Sequence, residues 1–456
     1  MQIYQIPVVV YFVFTLLAIF IKTGKRDISG YLLSSRKLTI IPFTATLVTT
    51  AYGWILGTGE LYYKYGYFAW FFLNLPYTIF SLVFALFFSK KLQKQHLITL
   101  PDLLAKHYNN QFATFASLFV LIMISPVMYI LMAAQVIHFI WNLNMIVCIC
   151  IATLLSVVYV IRGGFKAVVK TDTVHFVLMF GGFLLVFLLL LSKYGFSPVL
   201  QSQSLVQKPA ENGNIWYILT WYLFATITMV DPNYHQRVHA AKNQAVAKKG
   251  MLLAVVCWLI FDFLAASVAL YVFWLNPNIQ NPAYVYLHIA NDYLPDIVKG
   301  VFYVALLATI FSTSNSFFFT SALTLSKDIF QRNKQLTNVS INKLTGYTLI
   351  LPSVLCVLFL IPYSNATVVS LFFDITPYVV SALLLPVVST FFQKLKLSSK
   401  LVFIQSLIAL LTTFFAKVFG SNINEVFYGF GVALLFQITV LTYKSNLFKP
   451  IANSNN

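Results

Sequence analysis

Charged side chains are scarce in this sequence. Only 9% of its 456 residues are Asp, Glu, Lys or Arg, whereas an average soluble domain carries about 25%. A chain with so little charge cannot cover a water-facing surface of its own, which excludes an ordinary soluble fold. Hydrophobic residues make up 59% of the chain and its mean hydropathy is +0.81. We therefore expect lipid to be the main solvent of this protein.

Cysteines and catalytic signatures are equally sparse. The four cysteines all lie inside apolar runs, where they are interpreted as small hydrophobic residues and not as a disulfide or metal site. They are Cys148, Cys150, Cys257 and Cys356. The sequence contains no HExxH, Walker, GxSxG or CxxC pattern. We therefore predict that the chain is not an enzyme and holds no cofactor.

Apolar runs as long as a bilayer is thick recur along the whole chain. Windows of about 19 residues predict an all-α integral membrane protein with thirteen transmembrane helices. They lie at 4–21, 39–60, 67–89, 112–140, 144–161, 172–192, 215–230, 251–275, 298–324, 345–361, 366–391, 400–417 and 424–443. The first run lacks a basic segment and a small-residue cleavage site, so it is interpreted as a retained helix. The connections are too short to fold alone, which predicts one transmembrane domain.

The basic residues alternate between the two sides of these spans. With the N-terminus outside, 25 of the 30 Lys and Arg residues fall in the connections on one side. This positive-inside pattern predicts a cytoplasmic C-terminus, and we expect a bacterial inner membrane. The same clustering beside anionic lipid explains the net charge of +18, so the charge does not call for a nucleic acid partner.

The second span contains the least helix-favouring stretch of any span. Within 46–60, Gly53, Gly57 and Gly59 alternate with threonines, and glycine costs about 1 kcal/mol relative to alanine in a helix. One interpretation is an unwound segment whose carbonyls and hydroxyls contact a substrate or ion. The other is a small-residue face that lets helices pack closely. This stretch alone does not decide between them.

The ninth span carries a cluster of hydroxyl side chains, because residues 309–316 read TIFSTSNS. Adjacent hydroxyls beside a broken helix suit sodium, a hard cation that takes oxygen ligands. Serine and threonine in membrane helices more often bond to their own helix or to a neighbouring one. Taken alone, the cluster therefore favours a structural role.

Five acidic residues fall within the spans, and the cost of burying a charge makes each a candidate functional residue. They are Glu60, Asp172, Asp231, Asp262 and Asp374. Asp262 and Asp374 lie nearer the predicted middle of the membrane. Each fits either a proton or cation relay or a neutral packing acid, and the sequence leaves both roles open.

Three stretches together resemble the sodium:solute symporter family, which includes proline, pantothenate, sialic acid and sodium–glucose symporters. Residues 162–177 read RGGFKAVVKTDTVHFV, similar to the family's GG-x-x-AV-x-x-TD-x-x-Q pattern. Residues 231–242 read DPNYHQRVHAAK and resemble its QR-x-x-AAK loop. Residues 312–316 read STSNS and lead to SKD at 326–328, like its ST-x-x-S and LS-x-D element. Their order, spacing and predicted cytoplasmic-side placement all agree with the family.

The resemblance implies a leucine-transporter-type fold of two five-helix inverted repeats. Residues 1–38 would hold the extra first helix and its loop, 39–192 the first repeat and 215–391 the second. Two C-terminal helices at 400–443 and a cytoplasmic tail at 444–456 would follow. The seventh span contains no glycine or proline, so the break expected there by symmetry has no signal in the sequence.

The resemblance also implies a sodium site between the second and ninth spans. Ser312 and Thr313 would supply side-chain oxygens, and Thr309 its backbone carbonyl. The carbonyls of Val48 and Ala51 would complete the site.

Asp172 matches the family's acid on the inner exit route for sodium. We expect the substrate to lie beside the unwound segment, against the third, fourth and seventh spans. The candidate substrate residues are Thr50, Tyr52, Gly53, Trp54, Phe72, Tyr129, Gln135, Tyr222 and Thr226. Thr50 stands where proline-type carriers have an acid, which makes proline a less expected substrate.

The resemblance thus implies a secondary active transporter that couples sodium to the entry of a small solute by alternating access. A proton-coupled carrier using Asp262 or Asp374 remains an alternative on the same fold. A membrane sensor built on a symporter-like domain is a second alternative, and an uncoupled channel is a third. The partners expected are a small-molecule substrate, sodium and membrane lipid.

Overall fold

Helices are the main structure of the described part of the chain. A computed structural model describes residues 2–17, 28–158, 160–207, 215–332, 348–360, 368–421 and 423–447. Within these ranges there is no β-strand, only an isolated bridge between Leu38 and Ala241.

Twenty helices are named here in chain order. The first ten are α1 Gln5–Leu17, α2 Ile28–Leu33, α3 Ile40–Ala51, α4 Ile55–Tyr65, α5 Trp70–Gln93, α6 Leu100–His107, α7 Asn110–Met123, α8 Val127–Trp141, α9 Met145–Val157 and α10 Val160–Tyr194. The others are α11 Ser197–Leu205, α12 Ile215–Ala225, α13 Pro232–Ala240, α14 Gln244–Leu275, α15 Val285–Tyr293, α16 Asp296–Leu323, α17 Ile350–Leu360, α18 Val368–Ser389, α19 Ser399–Val418 and α20 Val426–Leu447.

A helix lies at each of the thirteen predicted positions, but the count of thirteen crossings is not confirmed. Among the described residues, eight helices are long and apolar enough to cross a membrane, and the bent pair α3–α4 brings this to nine. The described parts of α1, α9, α12 and α17 have 13, 13, 11 and 11 residues. At about 1.5 Å per residue, these lengths fall short of the hydrocarbon core. Parts of the first, fifth, tenth and eleventh predicted spans lie outside the described residues.

Helix α16 forms the centre of the molecule. Of the residues in its most apolar stretch, 83% are buried, and it packs against α1, α3, α8 and α10. Helices α19 and α20 pack on each other and on α18, and only 28% and 22% of their apolar stretches are buried. The hydroxyl cluster of the ninth span therefore lies in the interior, and the two C-terminal helices lie at the periphery.

One face gathers the connections that the sequence assigns to the cytoplasm. The backbone N–H of Leu38 donates to the carbonyl of Ala240 at 3.2 Å, and that of Lys242 donates to Leu38 at 3.0 Å. Nη2 of Arg36 donates to the carbonyl of His96 at 2.8 Å. Three connections predicted on the same side of the membrane thus meet in space.

The opposite face joins connections predicted to lie outside. The N–H of Gln207 donates to the carbonyl of Lys64 at 3.1 Å, and the Tyr271 hydroxyl donates to the carbonyl of Gly195 at 2.6 Å. The predicted alternation of loops agrees with these contacts. Which face is cytoplasmic stays a prediction.

Candidate functional site between the broken second span and the ninth

The second span breaks where its glycines and threonines concentrate. Helix α3 ends at Ala51 and α4 begins at Ile55, and their axes differ by 64°. The helix is therefore broken, as the first interpretation requires, and its glycines also allow the close packing of the second. The close approach of helix α16 requires glycine in the break, because a Cβ on Gly53 would lie 2.1 Å from Oγ1 of Thr313.

Thr313 attaches the ninth span to the end of α3. Its hydroxyl donates to the carbonyls of Thr50, at 2.9 Å, and Thr49, at 3.2 Å. The last four carbonyls of a helix have no partner within it, and for α3 these belong to residues 48–51. Thr313 meets two of them, and Val48 and Ala51, whose carbonyls the resemblance assigns to sodium, lie directly before and after these two in the chain.

Ser312 lies one residue earlier and joins a second polar group. Its Oγ lies 2.7 Å from Oγ1 of Thr49 and 2.6 Å from Oδ1 of Asp172. The hydroxyl of Thr46 donates to the other oxygen of Asp172. Ser312, Asp172, Thr46 and Thr49 are all buried. The acid expected on the exit route is thus in direct contact with a residue expected to bind sodium.

Arg237 provides the positive charge beside this acid. The guanidinium is fully buried, and its Nη2 donates to the hydroxyls of Thr46 at 3.0 Å, Thr50 at 2.6 Å and Ser316 at 2.9 Å. It lies 3.8 Å from Oδ2 of Asp172. In the sequence, Arg237 stands out only as part of the motif at 231–242. Its contacts make α13, a short helix between the seventh and eighth spans, part of the site.

Thr309 lies one helical turn before Thr313 and is fully buried. Its hydroxyl donates to the carbonyl of Ala305 at 2.7 Å, so its own backbone carbonyl is the group to consider for an ion. Ser312 and Thr313 thus lie at the contact of α3 and α16, and Thr309 lies one turn earlier on α16.

A cavity of about 160 Å³ lies beside the break. Four of the nine candidate substrate residues line it, namely Thr50, Tyr52, Trp54 and Tyr129, and Ala51 lines it as well. Ala51 and Thr50 therefore connect the predicted ion site to the cavity.

The other five candidate substrate residues lie outside the lining of this cavity. Gly53 faces Thr313, Phe72 packs on Tyr65 and Trp221, and Gln135 is buried in α8. The hydroxyl of Tyr222 donates to the carbonyl of Phe71, and that of Thr226 to the carbonyl of Leu223. The seventh span reaches the cavity instead through Ile227 and Thr228.

Those two residues belong to a change of helix type in the seventh span. Helix α12 ends at Ala225 and continues as a 3₁₀ segment, Thr226–Met229. Asp231 follows, and its Oδ1 accepts a hydrogen bond from the N–H of Asn233 at 2.7 Å, which caps α13. The seventh span is thus irregular at its inner end without a glycine or proline.

The two acids expected near mid-membrane occupy different places. Asp262 is 3% exposed and lines the cavity. The side chain of Asp374 is 58% exposed and pairs with Lys417, in the last turn of α19, at 2.6 Å. Asp374 is therefore not among the residues that line the cavity.

Comparison with known proteins identifies the family of this chain. Residues 31–400 match the sodium:solute symporter family. The chain is 25% identical over 445 residues to sodium/glucose cotransporter 4 of Mus musculus, an alignment that covers 85% of this chain and 64% of that protein. It is 25% identical over 283 residues to a sodium/glucose cotransporter of Vibrio parahaemolyticus, covering 52% and 50%. The chain thus spans less than two-thirds of either relative.

Two solved structures share the fold. A Na⁺-coupled sialic acid symporter, in a substrate-bound outward-open state, superimposes with a TM-score of 0.81, at 15% identity and 99% coverage of both chains. Mhp1, a nucleobase-cation-symport-1 family transporter with bromovinylhydantoin bound, gives 0.63 at 13% identity, covering 93% of this chain and 96% of that one. The leucine-transporter-type fold expected from the sequence is confirmed by these likenesses. Family and fold neighbours are membrane transporters and not enzymes, and this chain belongs to the sodium:solute symporter family.

Proposed function

We propose that this protein is a sodium-coupled symporter that carries a small organic solute into the cytoplasm by alternating access. The observation that carries the proposal is the contact between Thr313 and the broken end of α3, beside a cavity lined by Thr50 and Ala51. Family membership and the two sodium/glucose cotransporter relatives support the same function.

Sodium would bind where α16 meets α3. The hydroxyls of Ser312 and Thr313 and the carbonyls of Thr309, Val48 and Ala51 are the proposed ligands, all of them the oxygen donors that a hard cation prefers. An ion held by both helices stabilises the arrangement in which Thr50 and Ala51 line the cavity. Coupling requires that sodium bind this arrangement more tightly than the others.

Asp172 is proposed to receive sodium on its way to the cytoplasm. It contacts Ser312 on the side of the ion site and lies near Arg237 on α13, which belongs to a connection predicted to be cytoplasmic. A carboxylate in this place lowers the cost of moving a cation through the protein interior. The proposed location is a bacterial inner membrane, with the N-terminus outside and the C-terminus inside.

The inverted repeats are proposed to be 39–192 and 215–391. The break at 52–54 in the second span and the 3₁₀ segment in the seventh support this division, since each opens its proposed repeat with an irregular helix. Residues 1–38, 400–443 and 444–456 would be additions to the two repeats.

The test is uptake by the purified chain in proteoliposomes, with an inward sodium gradient or with potassium in its place. We expect sodium-driven accumulation of one solute from a panel of amines, sugars, amino acids and carboxylates. Ser312→Ala should raise the sodium concentration for half-maximal uptake roughly tenfold or more. This is the change expected when a contact between the ion and the serine oxygen, worth about 1.4 kcal/mol, is lost. Ser192→Ala is the matched control, because that exposed serine donates to the carbonyl of Leu189 in its own helix.

Proton coupling is the second candidate, because Asp262 is a buried carboxylate in the cavity wall. Uptake driven by a pH gradient and indifferent to sodium would establish it and contradict the sodium proposal. Unchanged sodium dependence in Ser312→Ala would remove Ser312 from the ion site. Sodium-dependent thermal stabilisation without any uptake would favour the sensor alternative.

A further inference from the structure

The cavity beside the break has an unusual lining for a solute site. Among its described lining residues there is no Lys, Arg or His, whereas two carboxylates, Asp231 and Asp262, belong to it. Eight of the lining side chains are aromatic and come from several spans, Trp54, Tyr129, Trp258 and Phe372 among them. The wall therefore combines negative charge with the faces and edges of rings.

Asp262 is the carboxylate left without a positive partner. Its Oδ1 accepts hydrogen bonds from Nδ2 of Asn74, at 2.8 Å, and from the hydroxyl of Tyr52. The side chains of Tyr62 and Trp70 hydrogen-bond the same carboxylate, whose Oδ2 is buried. None of the described side chains that bond to it carries a positive charge. A buried carboxylate in this condition needs a cation or a proton.

The other two acids near the cavity are compensated within the protein. Asp172 lies beside Arg237 and two hydroxyls, with His175 Nδ1 at 3.8 Å. Asp231 caps the N-terminus of α13, where the helix dipole favours a negative charge.

His235, which lies on α13 close to the capping residue Asp231, adds no positive charge that could balance Asp262. Burial lowers the pKa of His235 to about 4, so the ring is neutral at physiological pH. Of the two carboxylates that line the cavity in the described part of the chain, Asp262 is therefore the one whose charge nothing compensates.

We infer that the solute is a small organic cation whose amine or quaternary ammonium group binds beside Asp262. This inference rests on the proposed symport function. Rings attract such a group through their negative faces, and aromatic cages are a common way to bind quaternary ammonium ligands. Two carboxylates in the wall disfavour an anionic solute, since like charges repel in a low-dielectric site.

The size of the cavity restricts the solute as well. An engineered cavity of about 150 Å³ admits a benzene ring, and the cavity here has about 160 Å³. A compact amine therefore fits this volume without any movement of the walls. Charge and size together point to choline-sized or smaller cations.

The experiment measures thermal stability of the full chain in detergent with saturating sodium. The cationic probes are choline, ethanolamine and putrescine, and the uncharged probes are glucose and 3,3-dimethylbutan-1-ol, which has the shape of choline without its charge. We expect at least one cation to raise the melting temperature, and the uncharged isostere to leave it unchanged. Asp262→Asn should weaken binding of that cation roughly tenfold or more. Asp374→Asn is the matched control, since that acid lies outside the cavity and pairs with Lys417.

The outcomes separate this inference from the proposed function. Stabilisation by sodium alone, without any probe, tests the ion site and does not depend on the solute. If sodium stabilises the protein but the isostere or glucose binds as well as the cations, or none of the three cations binds, the inference is overturned and symport stands. Unchanged affinity in Asp262→Asn overturns it too. Should that variant not fold, the choline and isostere comparison on the unaltered chain decides.

Discussion

Arg237 shows how much of the candidate site depends on one side chain. Its Nη2 meets hydroxyls from two helices and lies 3.8 Å from Asp172. Removing one member of a buried charge pair leaves the other uncompensated, which costs about 3–5 kcal/mol. We therefore expect Arg237→Ala to lower the melting temperature strongly in a thermal scan, and Lys249→Ala, at an exposed cation, to leave it unchanged.

Arg237→Lys gives a finer version of the same prediction. Lysine keeps the positive charge but lacks the planar fork that bonds several partners at once. We expect a melting temperature between those of the unaltered chain and Arg237→Ala. A lysine variant as stable as the unaltered chain would mean that charge alone matters, and an alanine variant as stable would contradict the pairing with Asp172.

At this scale the sequence identified some of the site and missed the rest. Ser312, Thr313 and Asp172 were found because they stand in motifs. The contacts of Thr46 and Thr49 were not, since their partners lie 126 and 263 positions away along the chain. Asp262 was recognised as an intramembrane acid, but only the fold shows that it faces the same cavity as Trp54.

Among the elements, the second span was the most predictable, because three glycines and several threonines weaken its helix locally. The structure breaks it at 52–54. The 3₁₀ segment at Thr226–Met229 was not predictable, since no residue there forbids an α-helix. The fourth predicted span is one continuous span, Asn110–Trp141. Its local interruption, where α7 ends at Met123 and α8 begins at Val127, was not predicted from the sequence.

The break in the second span gives a prediction about the ion site. Gly53→Ala places a Cβ only 2.1 Å from Oγ1 of Thr313, which is too close for the two atoms to stay in place. Thr313 must then move from the end of α3, so we expect sodium to lose most of its stabilising effect on the protein. The measurement is the sodium dependence of the melting temperature.

Gly181→Ala is the control for this change. A Cβ on Gly181 meets no atom within 4 Å, so the same substitution there should keep sodium binding intact. Equal sodium dependence in both variants would show that the close approach of α16 to the break is not needed for the ion.

In the whole molecule, basic connections gather at one face and a ring-lined cavity lies in the interior. Connections rich in Lys and Arg meet on one face, where Leu38 pairs with Ala240 and Lys242. Such clustering matches anionic headgroups on the cytoplasmic leaflet. Composition therefore predicted the membrane environment, and the positions of the basic residues predicted the grouping of loops. How deeply each side chain is buried could be seen only from the packing around α16 in the structure.

Orientation is the prediction that belongs to this scale. In a background without the four native cysteines, Lys193→Cys reports on the face that contains Gly195, and Lys249→Cys reports on the face that contains Leu38. Both lysines are exposed. A membrane-impermeant maleimide added to intact cells should label position 193 and not 249, and both should label after lysis. The reverse pattern would mean that the protein has the opposite orientation, with the connections that hold 25 of its 30 basic residues outside the cell. The route from Asp172 by which sodium is proposed to leave would then also open to the outside.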